Sequence, residues 1–192
     1  MASMIDRMIK AATLNVDLYQ QVEEDTSLNQ EALLVVIIVS LASGIGSFIG
    51  GIIGGGIGAA LLWAVVTVAI GIISYYIWAY VTLFVGTKFF DGQADLGQML
   101  RTLGYAHTPR LLGLLSFIPC VGWLFSLAGL VLSLIAAVIA IREALDFDTG
   151  KAVLTAIIGW VIVLVISIVV GMVLGVGAAG VGGFMSTIQG GG

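Results

Sequence analysis

Cysteine, proline, histidine and charge are all scarce in this chain. Of its 192 residues one is Cys, two are Pro and one is His, and only 9% are charged. The solitary Cys120 excludes an internal disulfide and any multi-cysteine zinc or iron–sulfur site. His107 has no second imidazole with which to build a metal centre, so neither metal nor cofactor is expected. The seven Lys and Arg never cluster and the formal net charge is -4. Capture of nucleic acid needs cations arrayed against phosphates, so nucleic acid is excluded as a partner. Residues 1–18 mix Asp6, Arg7, Lys10 and Asp17 with hydrophobes, and no unbroken apolar core leads to a small-residue cleavage site, so they do not read as a signal peptide.

Apolar length is what the chain has in quantity. It is 60% hydrophobic with a mean hydropathy of +1.18, whereas a soluble domain is roughly half apolar and about a quarter charged. This composition belongs in a lipid bilayer, which a helix of about 20 apolar residues can cross. No charge lies between Glu31 and Lys88, which leaves room for two spans, and the glycines from Gly44 to Gly58 divide them. Pro119 and Gly122 break the later apolar stretch. The expected fold is all-α, a polytopic membrane helical bundle of about five transmembrane helices at 32–52, 59–85, 99–118, 121–141 and 152–174. An amino-terminal region, 1–30, precedes it and a glycine-rich tail, 175–192, follows. Placing the amino terminus inside puts Arg7, Lys10, Lys88, Arg101, Arg110, Arg142 and Lys151 on or near the cytoplasmic side, as the positive-inside rule requires. A four-span layout, with 110–120 re-entrant, is the competing arrangement.

Before the first span, Met1, Met4, Ile5, Met8, Ile9, Ala12, Val16 and Tyr19 recur at helical intervals. They predict an amphipathic helix lying in the membrane interface, joined to the first span by an acidic linker over 20–30. A weak repeat, D-T-S-L-N-Q-E-A-L from Asp25, A-D-L-G-Q-M-L from Ala94 and D-F-D-T-G-K-A-V-L from Asp146, precedes three expected spans. Its residue types are those of helix amino-terminal caps.

The chemistry-bearing residues are few. Gln98, Arg101, Thr102, Tyr105 and Thr108 share one helical face, a polar stripe entering the membrane. Such arginines either remain near the headgroups or find partners, and Asp91, Asp95, Glu143 and Asp146 are the candidate partners. His107 and Arg110 flank Pro109 and could hold a phosphate or carboxylate, although a hydrogen-bonded histidine at a proline kink is the simpler account. Asp146 and Asp148 read as a solvated ion-pair loop with Arg142 and Lys151. The glycine run lacks the strand, the lysine and the acidic residue of a nucleotide cradle. Gly46, Gly50, Gly54 and Gly58, four apart, instead predict close helix packing.

The segment T-L-G-Y-A-H-T-P at 102–109, then R-L-L-G-L-L-S-F-I-P and I-R-E-A-L-D-F-D-T-G-K-A from Ile141, resembles the Yip-one domain family of Ypt/Rab-interacting membrane proteins, in its prokaryotic branch. The resemblance implies a multi-pass α-helical protein with a cytoplasmic amino terminus, in the plasma membrane of a prokaryote. Eukaryotic members bind lipidated small GTPases and one another in vesicle traffic, through a long amino-terminal region with a D-L-Y-G-P-like motif that this chain lacks. Positions matching the family pattern are Gly104, Tyr105 and Pro109, with Arg101, Arg110, Arg142, Glu143, Asp146 and Lys151. With His107 added, Arg101, Tyr105, Pro109, Arg110, Arg142, Glu143, Asp146 and Lys151 form the expected cytoplasmic-face binding site. The function expected is a non-enzymatic scaffold or adaptor, with the lipid bilayer, a protein partner and other copies or homologues as associates. Transport of a small solute, a channel or lipid handling is the alternative, and no residue is expected to be catalytic.

Overall fold

The computed structural model describes residues 3–117 and 121–173. In this bundle, α1 (Met4–Ala12) and α2 (Val16–Glu24) form a hairpin, followed by α3 (Asn29–Phe89), α4 (Leu96–Ala106), a 3-10 segment (Thr108–Phe117), α5 (Gly122–Ala144) and α6 (Thr149–Val173). The expected tail at 175–192, with Pro119 and Cys120, lies outside the described residues.

The 61-residue α3 is two limbs of one helical hairpin. Gly56 adopts φ 79° and ψ 175° within it, a backbone conformation open to glycine and strained for other residues. The division expected among the glycines therefore rests on this residue. The limbs run side by side: a Cβ on Gly71 would lie 2.6 Å from the Ser40 hydroxyl, and one on Gly44 would lie 2.9 Å from Val68 Cγ2 and 3.3 Å from the Ala64 carbonyl oxygen.

These contacts correct the glycine expectation at Gly46 and Gly58. A Cβ on Gly46 or Gly58 would meet nothing within 4 Å, and the surroundings of Gly50 and Gly54 are not among those described. Close approach follows which face meets a neighbour, and a four-residue spacing alone cannot choose that face. A second small-residue stripe runs along α5, where Gly129, Ser133, Ala136, Ala140 and Ala144 are buried. Its approach to the 3-10 segment would put a Gly129 Cβ 3.0 Å from the Pro109 carbonyl oxygen.

Four helical stretches are long and apolar enough to cross a membrane: Thr26–Gly46, Gly56–Phe89, Gly122–Ala144 and Thr149–Val169. The third expected span, 99–118, is not one of them. Pro109 has no N–H and its ring clashes with the carbonyl four residues back, so α4 stops after 11 residues and a 3-10 segment of 10 residues takes over. This composite nevertheless carries the chain from one end of the bundle to the other. Leu145, just past α5, packs on Gly86 and Gly92 at the close of α3, while Gly129, seven residues into α5, lies against Pro109, Leu112 and Gly113 of the 3-10 segment. At about 1.5 Å per α residue and about 2.0 Å per 3-10 residue the composite reaches roughly 36 Å, enough for a hydrocarbon core of about 30 Å.

Burial is concentrated at the end where the charges lie. Leu18, Tyr19, Val22, Ala32, Val35, Tyr75, Met99, Leu103, Tyr105, Ile141 and Leu145 are buried together there. Toward the other end Ile45, Ile49, Ile57, Leu61, Leu62 and Trp63 are exposed. So large an apolar surface is stable only against lipid, and the protein is an integral membrane protein.

Candidate functional site

The amino-terminal region is two helices where one amphipathic helix and a linker were expected. Leu14 breaks it at φ 60°, after the Leu14 and Asn15 amides close α1 on the Ala11 and Lys10 carbonyls, the pairing of a left-handed helix stop. In α1, Ile5 and Ile9 remain 66% and 58% exposed, available to the membrane interface as expected. α2 instead turns Leu18, Tyr19 and Val22 onto α4 and α5. Fully burying an aliphatic side chain of this kind contributes about 1.5–3 kcal/mol, so the hairpin is docked on protein.

Arg101 fixes that docking. A helix leaves its last carbonyls without partners, and here Arg101, 3% exposed, supplies them. Its Nε donates to the Val22 carbonyl at 2.9 Å, one terminal nitrogen donates to the Glu23 carbonyl, and the other to Asn29 Oδ1 at 3.0 Å. Positive charge at a helix carboxyl end is also favoured by the helix dipole. The polar stripe thus binds the chain's own amino-terminal hairpin. None of Asp91, Asp95, Glu143 and Asp146 is the hydrogen-bond partner of Arg101.

A second cluster lies one turn further on. Glu31 receives the Arg7 guanidinium, with Nε at 2.7 Å, and the Tyr105 hydroxyl, and Arg7 Nε also reaches that hydroxyl at 3.2 Å. Gly104 lets Tyr105 come this close, because a Cβ there would sit 2.9 Å from both the carbonyl oxygen and the Cβ of Ala32. A third tie joins α2 to α5, where Gln20 Nε2 donates to Glu143 at 2.9 Å and Arg142 Nε donates to the same carboxylate at 2.7 Å.

The other nominated residues are separated by role. His107 Nδ1 donates to the Leu103 carbonyl at 2.7 Å and its ring packs edge-on to Tyr75 at 5.7 Å, so it is a hydrogen-bonded histidine at the proline break. Pro109 is buried, and Arg110 lines a cavity with His107. Asp146 is the left-handed stop of α5 at φ 54°; its own amide donates to the Glu143 carbonyl and the Phe147 amide to the Arg142 carbonyl. Lys151 is exposed, its ammonium 5.6 Å from the Phe147 ring. The weak repeat is a capping pattern: Asp25 accepts from the Ser27 amide, Asp95 from the Gln98 amide and Asp148 from the Lys151 amide.

Arg7, Glu23, Asn29 and Glu31 were not among the nominated residues, although Glu31 stands out as the last charge before the long apolar run that follows it. Glu23 carries a pH response. Burial raises its carboxyl to about 6, with Asp146, Glu143 and Glu24 adding repulsion and a hydrogen bond from Gln98 opposing them. The docked state therefore binds this proton more tightly than the undocked state, whose carboxyl titrates near the ordinary 4.5. Linkage makes docking strongest below about pH 4.5, weaker as pH rises through about 6, and weakest above that. In Glu23→Gln, amide exchange or proteolysis across residues 16–24, compared with the parent at each pH, is expected to slow at pH 7. The difference between the two proteins should vanish below about pH 4.5.

The Yip1 domain matches residues 15–188. No curated protein and no solved structure matches the chain. The matched region takes in α2, the hairpin of α3, the Gly104–Tyr105 contact that seats the amino-terminal hairpin and every span, and the chain belongs to the Yip1 domain family of multi-pass membrane proteins.

Proposed function

We propose that this protein is a non-enzymatic scaffold or adaptor that recruits a protein partner at its charged end, with no catalytic residue and no metal or cofactor. The observation that carries this reading is the rigid platform built there. Arg101 and the Arg7–Glu31–Tyr105 cluster lock the amino-terminal hairpin onto α4, while Lys88, Asp91, Asp146, Asp148 and Lys151 stay exposed around it. A fixed surface of mixed charge gives a partner orientation and specificity with little ordering cost. Of the nominated residues, Asp146 and Lys151 belong to the contact surface, while Arg101, Tyr105, Arg142 and Glu143 support it from within. The positive-inside rule places this end, with the amino terminus, in the cytoplasm, for a prokaryotic member at the plasma membrane.

The test is a paired purification from native membranes of the parent and of a Lys88→Glu/Lys151→Glu variant. A soluble protein held in fixed stoichiometry by the parent, and lost from a variant that inserts and melts normally, is the expected result. A parent that returns only copies of itself and lipid opposes the adaptor reading. Lipid or solute handling, favoured by the cavity between the spans, then becomes the better account, and flux through reconstituted vesicles is its measurement.

A further inference from the structure

The cavity, of about 890 Å³, is lined from the two limbs of α3, from α4 and the 3-10 segment, and from α5 and α6. Its size is that of a small-molecule site, and its walls are mainly Val, Leu, Ile, Ala and Trp. Arg110 is the one ionised side chain among the described residues of that wall. Unlike Arg7, Arg101 and Arg142, its guanidinium makes no hydrogen bond or ion pair with any described residue. The carboxylates that might have answered it are placed elsewhere: Glu31 is held by Arg7 and Tyr105, Glu143 by Arg142 and Gln20, and neither lines the cavity. Ser40 and Ser74, also on the wall, likewise give their hydroxyls to no described residue. Ser43 and Ser133 differ, donating to carbonyls of their own helices at 3.0 and 2.9 Å.

A guanidinium among apolar side chains calls for a counter-anion, and no described residue supplies one to Arg110. An anion bearing a hydrocarbon chain matches both halves of the site. We propose that the cavity binds a membrane lipid with an anionic phosphate headgroup, the phosphate accepting from Arg110 and from the Ser40 and Ser74 hydroxyls while an acyl chain lies against the apolar wall. Arg110 suits the role because its guanidinium keeps its positive charge and donates charge-assisted hydrogen bonds to phosphate oxygens. The proposal does not rest on the adaptor reading.

Two of the four tryptophans, Trp78 and Trp160, line the cavity, while Trp63 and Trp123 do not. In a Trp63→Phe/Trp123→Phe background, the remaining fluorescence reports on the cavity. The detergent-solubilised full chain is titrated with brominated-acyl phosphatidylglycerol and with brominated-acyl phosphatidylcholine, each with and without inorganic phosphate. The expected result is quenching by the anionic lipid at about tenfold lower concentration, a preference abolished in Arg110→Gln and kept in Arg110→Lys, with thermal melting of both variants near that of the parent. Equal quenching by the two lipids overturns the proposal. So does a preference that survives in Arg110→Gln, or one lost in a normally melting Arg110→Lys, which retains the charge. Phosphate that weakens quenching only by the anionic lipid supports recognition of the headgroup phosphate. Phosphate that protects the protein against heat through Arg110, with no lipid preference, assigns the site to the free ion and overturns the lipid.

Discussion

Replacing Arg101 by Met is expected to release the amino-terminal hairpin while leaving the spans inserted. The substitution keeps most of the buried apolar stem and removes all of the donors, so the Val22 and Glu23 carbonyls and Asn29 Oδ1 lose their partner together. Hydrogen bonds to a charged group contribute about 1.5–3 kcal/mol each, and a buried acceptor left empty carries its own desolvation cost. Because the three share one side chain the losses are not additive, and a total of about 3–5 kcal/mol is expected. In a chain of this length that lowers the melting midpoint by roughly 10 °C or more. The change should be local first: amides of residues 16–24 exchange quickly and trypsin gains access near Arg7 and Lys10, with the spans still protected. Arg101→Lys should recover less than half of the loss, since an ammonium lacks the planar fork that serves three acceptors in different directions. Unchanged protection of α2 in Arg101→Met would show that apolar burial alone seats the hairpin.

The second large effect is expected at Gly104, where addition of a single methyl group has nowhere to go. A Cβ there meets the Ala32 carbonyl oxygen and Cβ at 2.9 Å and the carbonyl carbon at 3.2 Å. Two of these are backbone atoms of a packed helix, which cannot swing aside as a flexible side chain would. Gly104→Ala should therefore cost about 1–3 kcal/mol through displacement of α4 from the first limb of α3, and Gly104→Leu should cost more. The displacement also carries Tyr105 away from Glu31 and Arg7, so the two defects are coupled. Adding Ala32→Gly removes one of the three clashes and leaves the carbonyl in place, and a double-mutant cycle on the melting midpoint should give partial rescue. A Gly104→Ala protein that melts like the parent would overturn the close-approach account of this glycine.

The contrast between these two residues marks where reading the chain in one dimension succeeds. Composition alone sufficed for an all-α membrane bundle, because a backbone without water must satisfy itself and helices do so locally. Asp25 and Asp95 announced helix starts and the glycines around Gly56 announced the hairpin, whereas Pro109 announced only a kink within a span that the structure ends at Ala106. Each signal acts within a few residues of itself, so it is legible from neighbours in sequence. The L-G-Y motif was legible as a motif and not as a contact. Its meaning depends on Ala32 and Glu31, more than seventy residues earlier.

The tertiary structure decided the rest. Arg101 and Arg110 look alike in sequence, two arginines on one polar stretch nine positions apart, yet one is consumed in holding α2 and the other faces a cavity with no anion near it among the described residues. Gly46 and Gly58 meet no neighbour that a Cβ would touch, while Gly44, Gly71 and Gly104 make the close approaches, because close approach is a property of two helices and their rotation about each other. The sequence by itself determined that the chain is helical, that it belongs in lipid, and that charge is gathered toward one end. Only the fold assigned partners to those charges, since helix propensity and hydropathy are local or averaged quantities, whereas an ion pair or a 2.9 Å contact depends on where distant parts of the chain come to rest.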